Sequence, residues 1–416
     1  MDKPQGYSEA KIKKLCEKYK KEAQEINKER TNQLKDQIVI FNLSESFADP
    51  SRLTGVKLKN NPIPNIQKIK KDNTSGIMLS SNYGGGTANI EFMTLTGLAT
   101  CNFTSTLQVP YTQLVGKMKT VPSIVQQFPE AVAIHPYKGT FYNRKTVYKK
   151  LGIDRYYFLG SEYKIINQKK NENSKYLSDE TAYDNALKQI NNSNKSGLFI
   201  NLVTMQNHSP YNKNVYKNAD KFNASGSIFD SATQINLNNY ACGLNYTDEA
   251  AQKFMKELDK IEKPVTWVFY GDHLPGIYNF LSSDMGKYGL ELHETDYFIY
   301  SNKYAQEHLG AKRLTTYTNY VSPNEFSAMV AEQTNSKVTP FLALLTHVYQ
   351  ELPATAIPFV LNDDENSEPV MVNQDGKIIT NSDLTAKQKE LWHDYKLIQY
   401  DLTVGKQYSV KYLMYK

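Results

Sequence analysis

The chain has few cysteines, no long apolar run and little net charge, and each shortage excludes a class of protein. Its 416 residues include Cys16, Cys101 and Cys242, an odd number that gives neither a disulfide framework nor a metal-binding spacing. It contains no apolar run of about 18 residues, the length of a membrane span, and no signal-peptide core near Met1. A net charge of +6 is too weak to indicate nucleic-acid binding. We therefore predict either a cytosolic protein or a soluble piece of a longer one, without a nucleic-acid partner.

Strand and helix patterns alternate along most of the chain. Apolar runs predict strands at 37–43, 77–80, 131–134, 197–203, 265–270 and 296–300. Helical spacing predicts helices at 8–36, 120–127, 142–150, 179–191, 246–262 and 325–332. This alternation predicts an α/β fold with a mostly parallel central sheet flanked by helices.

The pattern changes near residue 353. Short strands are predicted at 358–361, 370–372 and 377–380, with a hairpin turn at Gln374-Asp375-Gly376 and a helix at about 384–402. We therefore predict three segments. These are an N-terminal linker helix (1–36), a large α/β domain (37–352) and a small C-terminal α+β subdomain (353–416).

A glycine-rich loop leads from the strand at 77–80 into a helical pattern. From Ser80 to Phe92 it runs Ser-Ser-Asn-Tyr-Gly-Gly-Gly-Thr-Ala-Asn-Ile-Glu-Phe. Glycines permit a sharp turn with room beside it, and the first free N–H groups of the helix point at whatever lies over Thr87. That position suits an anion, and a hydroxyl there is placed to attack phosphorus. The simpler interpretation is a threonine that caps a helix.

Chemically active side chains follow five of the predicted strands. Because sites in such sheets lie outside the carboxyl ends of the strands, we expect these side chains to lie close together. They are Glu45, Thr87, His135, His208 (after Asn207) and the adjacent pair Asp272-His273. Each of these residues alone could have a purely structural role, for example as a turn aspartate or a buried histidine. Their occurrence together at strand ends favours a single functional site.

Asp272-His273 is the leading metal-binding pair, because it directly follows an apolar strand in Tyr-Gly-Asp-His-Leu-Pro-Gly. With Glu45 and the Thr87 hydroxyl it would form a donor set composed mostly of oxygen. Such a set suits Mn²⁺ or Mg²⁺ better than a thiolate-seeking ion, with Zn²⁺ as an alternative.

The order of five motifs resembles the lipoteichoic acid synthase family, phosphoglycerol transferases of the alkaline-phosphatase/sulfatase superfamily. The motifs are Glu-Ser-Phe, the glycine-rich loop with its threonine and Glu-Phe, Phe-Tyr-Asn-Arg, Asn-His and Gly-Asp-His. The resemblance covers roughly residues 37–332 and implies a sulfatase-like fold. It also implies that Glu45, Thr87, Asp272 and His273 bind one Mn²⁺.

The same resemblance implies roles in catalysis and substrate binding. Thr87 would be the nucleophile, and His208 would contact the phosphoglycerol and transfer protons. The glycerophosphate pocket would be lined by His135, Tyr142, Asn143 and Arg144. For Arg144 and the histidines, the simpler interpretations are a solvated helix arginine and structural histidines.

The implied reaction takes sn-glycerol 1-phosphate from phosphatidylglycerol through a phospho-threonine intermediate. The acceptor would be a wall polysaccharide or a lipoteichoic acid chain of a Gram-positive type envelope. A lipid donor requires proximity to a bilayer. We therefore expect transmembrane helices before Met1 and a catalytic domain outside the cell, with this chain as the soluble fragment.

Two departures from the family pattern leave the acceptor open. Tyr142 stands where the lipoteichoic acid enzymes usually have tryptophan, and the loop reads Gly-Gly-Gly-Thr-Ala-Asn rather than the commoner Gly-Lys-Thr-Ser type. The short interval between Glu45 and Thr87 is closer to relatives that modify wall polysaccharides, such as the streptococcal group A carbohydrate.

Three other functions compete with this interpretation. Sulfatases use a Cys/Ser-x-Pro-x-Arg signature, but neither Pro nor Arg follows Thr87 closely. A two-zinc phosphodiesterase or phosphomutase needs a second group of Asp and His ligands, and the remaining histidines follow no predicted strand. A non-catalytic domain that binds wall polymers would not need the full set of candidate ligands.

Overall fold

In a computed structural model of the chain, which describes residues 1–226, 228–358 and 368–416, an eight-stranded sheet forms the centre of the fold. The strands are β1 (Ile38–Ser44), β2 (Thr74–Leu79), β3 (Ala131–Lys138), β4 (Arg155–Leu159), β5 (Leu198–Val203), β6 (Val265–Gly271), β7 (Glu294–Ser301), β8 (Tyr320–Val321), β9 (Ala354–Ala356), β10 (Val370–Val372) and β11 (Ile378–Ile379). The order in the large sheet is β4-β3-β5-β1-β6-β7-β2-β8, and the last three strands form a small antiparallel sheet.

Within the large sheet, β7 runs antiparallel to both of its neighbours, and the other pairings are parallel. The carboxyl ends of β1, β2, β3, β5 and β6 therefore lie along the same edge. The mostly parallel α/β fold expected from the sequence is confirmed.

Apolar side chains on both faces explain why β1 lies at the centre. All its residues are buried, and they alternate between two cores. Val39, Phe41 and Leu43 pack on one side, whereas Ile38 and Ile40 pack on the other. A strand covered on both faces has a continuous apolar sequence, which is why this one could be predicted.

Helices cover both faces of the sheet. They are α1 (Glu9–Lys28), α2 (Pro64–Asp72), α3 (Thr87–Thr96), α4 (Pro110–Gln113), α5 (Arg144–Leu151), α6 (Asp179–Asn192), α7 (Ser231–Leu258), α8 (Asn279–Ser282), α9 (Met285–Leu292), α10 (Lys303–Leu309), α11 (Phe326–Gln333), α12 (Pro340–Glu351), α13 (Ala386–Thr403) and α14 (Tyr408–Lys411). None of the helices in the described part of the chain is both long and apolar enough to cross a membrane.

The predicted helix over 8–36 is wrong in length, since α1 ends at Lys28. The following segment pairs with the loop after α11 instead. The backbone N–H groups of Thr31 and Asn32 donate to the carbonyl oxygen of Asn335, and the Asn32 side chain donates to the carbonyl oxygen of Thr334. In a longer helix these two N–H groups would have donated to carbonyl oxygens within the helix. Here they are satisfied by the loop instead.

Two other helix predictions are also corrected. Residues 120–127 form only a short 3₁₀ turn over Ile124–Gln127, because Pro122 disfavours helical geometry in the residue before it. The helix predicted at 246–262 begins much earlier, at Ser231, where the Asp230 side chain accepts a hydrogen bond from the backbone N–H of Thr233.

The C-terminal hairpin is confirmed, because β10 and β11 pair around the predicted turn. The strand predicted at 358–361 lies, apart from Pro358, outside the described residues. Side chains from all three predicted segments share one buried cluster, among them Tyr19, Phe92 and Trp392. The proposed division of the chain at 36 and 352 stays a prediction.

Candidate active site

Glu45, Asp272 and His273 form the centre of the site and are buried at the adjacent ends of β1 and β6. Their ligand atoms all lie within 4.8 Å of one another. His273 Nε2 is 3.3 Å from Asp272 Oδ2 and 3.8 Å from Glu45 Oε1. Among the residues that the structure describes, this is the one such group of His, Cys, Asp or Glu, so the geometry offers a single metal site.

The turn after β1 fixes these carboxylates. Ser46 has φ of 51° there, and its backbone N–H donates to Asp272 Oδ1 over 2.8 Å. The strands meet so closely that a Cβ added to Gly271 would lie 1.7 Å from the Phe47 carbonyl oxygen. Glycine is therefore required before Asp272 for the two strand ends to approach.

The hydrogen bonds leave His273 Nε2 and Asp272 Oδ2 for a further partner. His273 Nδ1 is 2.8 Å from the Leu274 carbonyl oxygen, which assigns the ring proton to Nδ1 and leaves a lone pair on Nε2. Asp272 Oδ2 is buried without a hydrogen-bond partner. An acceptor-only group with two carboxylates and an imidazole fits a divalent cation.

Electrostatics leads to the same conclusion. Burial raises the pKa of Glu45, and the Asp272 carboxylate raises it further. Burial lowers the pKa of His273, but Asp272 and Glu45 outweigh this effect, and the net shift is upward. Both upward pKa shifts mean that added positive charge stabilises these three side chains. A metal ion or a proton can provide that charge.

Thr87 is the first residue of α3 and lies beside this group. Its Oγ1 is 3.5 Å from Glu45 Oε2. Gly86, which precedes it, has φ of +88°, a conformation that L side chains rarely adopt. The glycine-rich loop thus places Thr87 at the positive end of a helix, next to the candidate metal ligands.

Arg144 is buried rather than solvated, and its main partner is Glu91. Arg144 Nε and Nη2 donate to Glu91 Oε2 over 3.2 and 3.0 Å. Glu91 Oε1 accepts from Tyr111 Oη over 3.0 Å and from Asn201 Nδ2 over 3.4 Å. Glu91 lies one helical turn after Thr87, so α3 carries both the candidate nucleophile and the group that orients Arg144.

Tyr142 and Asn143 directly precede Arg144 and have an unusual backbone conformation. Both have φ of 56°, and Asn143 is the N-cap residue directly before α5. The Arg144 guanidinium lies 5.2 Å from the centroid of the Tyr142 ring. The Tyr142 ring is therefore within cation–π distance of the Arg144 guanidinium.

His135 and His208 use the same tautomer in different surroundings. His135 Nδ1 is 2.8 Å from the Val203 carbonyl oxygen, and its ring is buried. His208 Nδ1 is 2.8 Å from the Ser209 carbonyl oxygen and 3.0 Å from Tyr176 Oη, and its ring is half-buried. These bonds place the ring proton on Nδ1 and leave Nε2 of each ring as an acceptor.

Burial, helped by the charge of Arg144, lowers the pKa of His135 from its ordinary value of 6.5 to about 3. Between these values the unfolded chain binds a proton that the folded chain does not, so the free energy of unfolding falls as the pH falls. We expect His135→Gln to flatten this dependence between pH 6.5 and 3, as measured by urea unfolding. An unchanged slope would contradict the assignment.

Two supporting contacts have no signal in the sequence. The backbone N–H of Glu45 donates to Thr204 Oγ1 over 3.1 Å, and Ser80 Oγ donates to the Asp272 carbonyl oxygen over 2.6 Å. Ser80 and Thr204 each directly follow a strand, as other polar residues do, and nothing in the sequence singles them out. Only the strand order shows which strand end each one contacts.

Comparisons with known proteins agree with one another on the family and the fold. The sequence profile of the Sulfatase family matches residues 37–336. The fold is similar to the Streptococcus pyogenes phosphoglycerol transferase GacH in complex with sn-glycerol-1-phosphate, with 36% identity, a TM-score of 0.85, and coverage of 100% of this chain and 98% of that chain. The lipoteichoic acid synthase LtaP from Listeria monocytogenes shares the fold at 16% identity, with a TM-score of 0.60 and coverage of 95% and 98%.

Among curated sequences, the chain is 28% identical over 390 residues to a putative cyclic beta-1,2-glucan modification protein of Rhizobium meliloti (strain 1021). That match covers 90% of this chain and 56% of the relative. The chain thus spans about half the length of the curated relatives it matches first.

Proposed function

This chain belongs to the Sulfatase family, and from that premise we propose that it is a metal-dependent glycerol phosphate transferase. It moves sn-glycerol 1-phosphate from phosphatidylglycerol to a hydroxyl of a cell-envelope acceptor. The observation that carries the proposal is the buried Glu45–Asp272–His273 group, with the Thr87 hydroxyl beside it at a helix N-terminus. The identity of 36% to a phosphoglycerol transferase over the whole chain supports it.

Glu45, Asp272, His273 and Thr87 would hold the metal, which we propose to be Mn²⁺ because the donors are mostly oxygen. When bound, a divalent cation supplies Lewis-acid stabilisation of phosphoryl charge and favours the ionised form of a nearby hydroxyl. No second group of this kind occurs in residues 1–226, 228–358 and 368–416, which favours one metal over a two-zinc phosphodiesterase site.

In the first step Thr87 Oγ1 loses its proton and forms a bond to the phosphorus of phosphatidylglycerol. The bond from phosphorus to the diacylglycerol oxygen breaks, and diacylglycerol leaves with a proton. In the second step an acceptor hydroxyl attacks the same phosphorus, the bond to Thr87 Oγ1 breaks, and the Thr87 hydroxyl forms again. His208 Nε2 is available to accept the proton of the acceptor hydroxyl.

Two side chains recognise the donor. Arg144, held by Glu91, offers its charge to phosphate oxygens. His135 is neutral at physiological pH with its Nε2 as an acceptor, so it suits a glycerol hydroxyl rather than a phosphate oxygen. Together they favour a phosphodiester that carries a hydroxylated head group.

Donor cleavage is the direct test. The protein would be incubated with Mn²⁺ and phosphatidylglycerol labelled in its head group, with and without candidate acceptors. We expect diacylglycerol to be released and the label to move to the acceptor. Release of sulfate from aryl sulfates with no cleavage of phosphatidylglycerol would overturn the proposal.

Metal binding can be tested separately from turnover. We expect saturating Mn²⁺ to raise the Tm of the wild-type protein, because a ligand at 100 times its Kd stabilises the folded state by about 2.7 kcal/mol. Asp272→Asn should lose most of this increase, because it removes one carboxylate of the site. Two tightly bound equivalents of zinc by elemental analysis would favour the phosphodiesterase alternative.

Conservative substitutions test the donor pocket. We expect Arg144→Lys to lower kcat/KM by about tenfold or more, because one ammonium cannot replace a planar guanidinium that spans Glu91 and a phosphate. Tyr142→Trp should change kcat/KM by less than about threefold, since both side chains provide an aromatic wall with a polar edge. An unchanged kcat/KM in Arg144→Lys would remove that residue from the pocket.

A further inference from the structure

The segment from Thr204 to His208 joins a candidate metal ligand to the candidate proton acceptor. Thr204 directly follows β5, and its Oγ1 accepts a hydrogen bond from the backbone N–H of Glu45 over 3.1 Å. At the other end of the segment, the hydrogen bonds of His208 are made by Nδ1 and leave Nε2 as an acceptor. The position of His208 relative to the metal ligands therefore depends on how this short segment is held.

Thr247, in α7, holds the middle of this segment. Its side chain is fully buried, and its Oγ1 accepts from Asn207 Nδ2 over 2.8 Å and from Gln206 Nε2 over 3.1 Å. A hydroxyl oxygen has two lone pairs and one proton. The two amides occupy both lone pairs, so the proton of Thr247 must be donated to a further acceptor.

Asp179, the first residue of α6, accepts that proton. Its Oδ2 lies 2.6 Å from Thr247 Oγ1, whereas its Oδ1 is buried without a hydrogen-bond partner. Burial raises the pKa of this carboxyl group to about 6, so it is ionised at pH 8 and makes the bond from Thr247 short and strong. A neutral acceptor would bond Thr247 without the cost of burying a charge, which argues against a purely structural role.

Both helices also contact the segment through their backbones. The backbone N–H of Asp179 donates to Gln206 Oε1 over 3.0 Å, and Gln206 Nε2 donates to the Gly243 carbonyl oxygen over 2.9 Å. A Cβ on Gly243 would lie 2.7 Å from Asn207 Oδ1, so Asn207 packs directly on α7. His208 is the next residue, and it can move only if these contacts change.

We propose that Asp179 and Thr247 are positioning residues that hold His208 in place for proton transfer. The inference rests on the proposed function and adds to it two residues that lie outside the five motifs. Without the Thr247 hydroxyl, the Asn207 amide and the Asp179 carboxylate would lose their shared partner, and the residue after Asn207 would be less restrained. Because the two side chains act on the reaction through His208, their loss should slow the steps that need a proton and spare the others.

The choice of donor separates the two kinds of step. The diacylglycerol oxygen gains a proton as its bond to phosphorus breaks, and protonated His208 Nε2 can deliver that proton. The acceptor hydroxyl later enters where diacylglycerol left and returns a proton to the same nitrogen. In glycerol 4-nitrophenyl phosphate, by contrast, the leaving group is a stable anion that needs no proton. The first turnover of this ester therefore depends on Thr87 but not on proton transfer by His208.

Four variants test the link between α7 and His208. Thr247→Val removes the hydroxyl with little change in shape, and Thr247→Ser restores a hydroxyl. Asp179→Asn keeps an acceptor oxygen and removes the charge, and it replaces Thr247→Val as the test variant if the Tm shows that Thr247→Val does not fold. Thr346→Val is the matched control, because Thr346 is a buried threonine of α12 whose Oγ1 donates to the Leu342 carbonyl oxygen over 2.7 Å. This helix packs against α1, α11 and α13.

First-turnover rates would be measured by quenched flow at pH 8 with Mn²⁺. We expect Thr247→Val to slow the reaction of phosphatidylglycerol by about tenfold or more, which is part of the roughly 10²–10⁴-fold that a positioned proton donor contributes. Its reaction with the nitrophenyl ester should change by less than about threefold, since no proton is needed there. Asp179→Asn should show the same difference between donors at a smaller size, whereas Thr247→Ser and Thr346→Val should behave as the wild type. Equal slowing of both donors by Thr247→Val, or slowing of neither, would overturn the proposal.

The proposed function and this inference can fail separately. If the wild-type protein cleaves neither donor, the proposed function fails. The position of His208 would then be followed by NMR of ¹³C-labelled histidine, with its signal assigned by His208→Gln. We expect Thr247→Val to shift that signal, and Thr247→Ser and Thr346→Val to leave it in place. An unshifted His208 signal in Thr247→Val would overturn the inference whether or not the protein is active.

Discussion

Thr87→Ala is expected to lower glycerol phosphate transfer by more than about 10³-fold, as removal of a catalytic nucleophile does in other enzymes. The substitution deletes the Oγ1 that lies 3.5 Å from Glu45 Oε2. Glu45, Asp272 and His273 would remain, so part of the metal affinity should survive. Transfer would be measured with labelled phosphatidylglycerol, and metal content by elemental analysis.

Thr87→Ser keeps the hydroxyl oxygen and removes only the methyl group. It therefore distinguishes the loss of the nucleophile from a change in side-chain shape. It should retain partial activity, because an oxygen remains on the same carbon although its rotamer is less restricted. When acceptor is withheld, a glycerophosphate adduct should appear as a mass increase on the peptide that contains Thr87. Near-native transfer by Thr87→Ala, or an adduct on Ser81 or Thr94, would contradict the covalent mechanism.

The strands that carry the site could be predicted because they are covered on both faces. The runs at 37–43, 197–203 and 265–270 correspond to β1, β5 and β6, the three adjacent strands at the centre. By contrast, β4 lies at the edge of the sheet and β8 has two residues, and neither has a continuous apolar pattern. α12 was missed because its buried residues surround most of its circumference and leave no single apolar stripe.

Residue type and position after a strand brought together the candidates Glu45, Thr87, Asp272 and His273. The contacts that orient these side chains could not be predicted in this way, because they join residues far apart in the sequence. The bond from the Ser46 backbone N–H to Asp272 Oδ1 joins positions 226 residues apart. Which strand ends become neighbours depends on the strand order, and local sequence patterns do not specify that order. The same reason explains why Glu91 appeared only as part of a motif and not as the partner of Arg144.

The ion pair between Glu91 and Arg144 should dominate the stability of the region between α3 and the start of α5. Both side chains are at most 2% exposed, and Glu91 accepts two hydrogen bonds from the guanidinium. Burial alone would lower the pKa of Arg144, but Glu91 raises it well above its ordinary value, so the arginine stays charged. Removing one partner leaves a buried charge unpaired. We expect Glu91→Gln to lower the free energy of unfolding by about 3–5 kcal/mol.

A double-mutant cycle distinguishes this pair from general packing. The variants are Glu91→Gln, Arg144→Met and their combination, compared by urea unfolding. Because the double variant leaves no unpaired charge, it should be more stable than the sum of the single effects predicts, by up to about 3 kcal/mol. Tyr111→Phe removes one hydrogen bond from Glu91 Oε1 and leaves the ion pair intact, so it should cost less, about 1.5–3 kcal/mol. Additive effects of Glu91→Gln and Arg144→Met would show that Glu91 does not hold Arg144 in place, and the proposed link between α3, which carries Thr87, and Arg144 would fail with it.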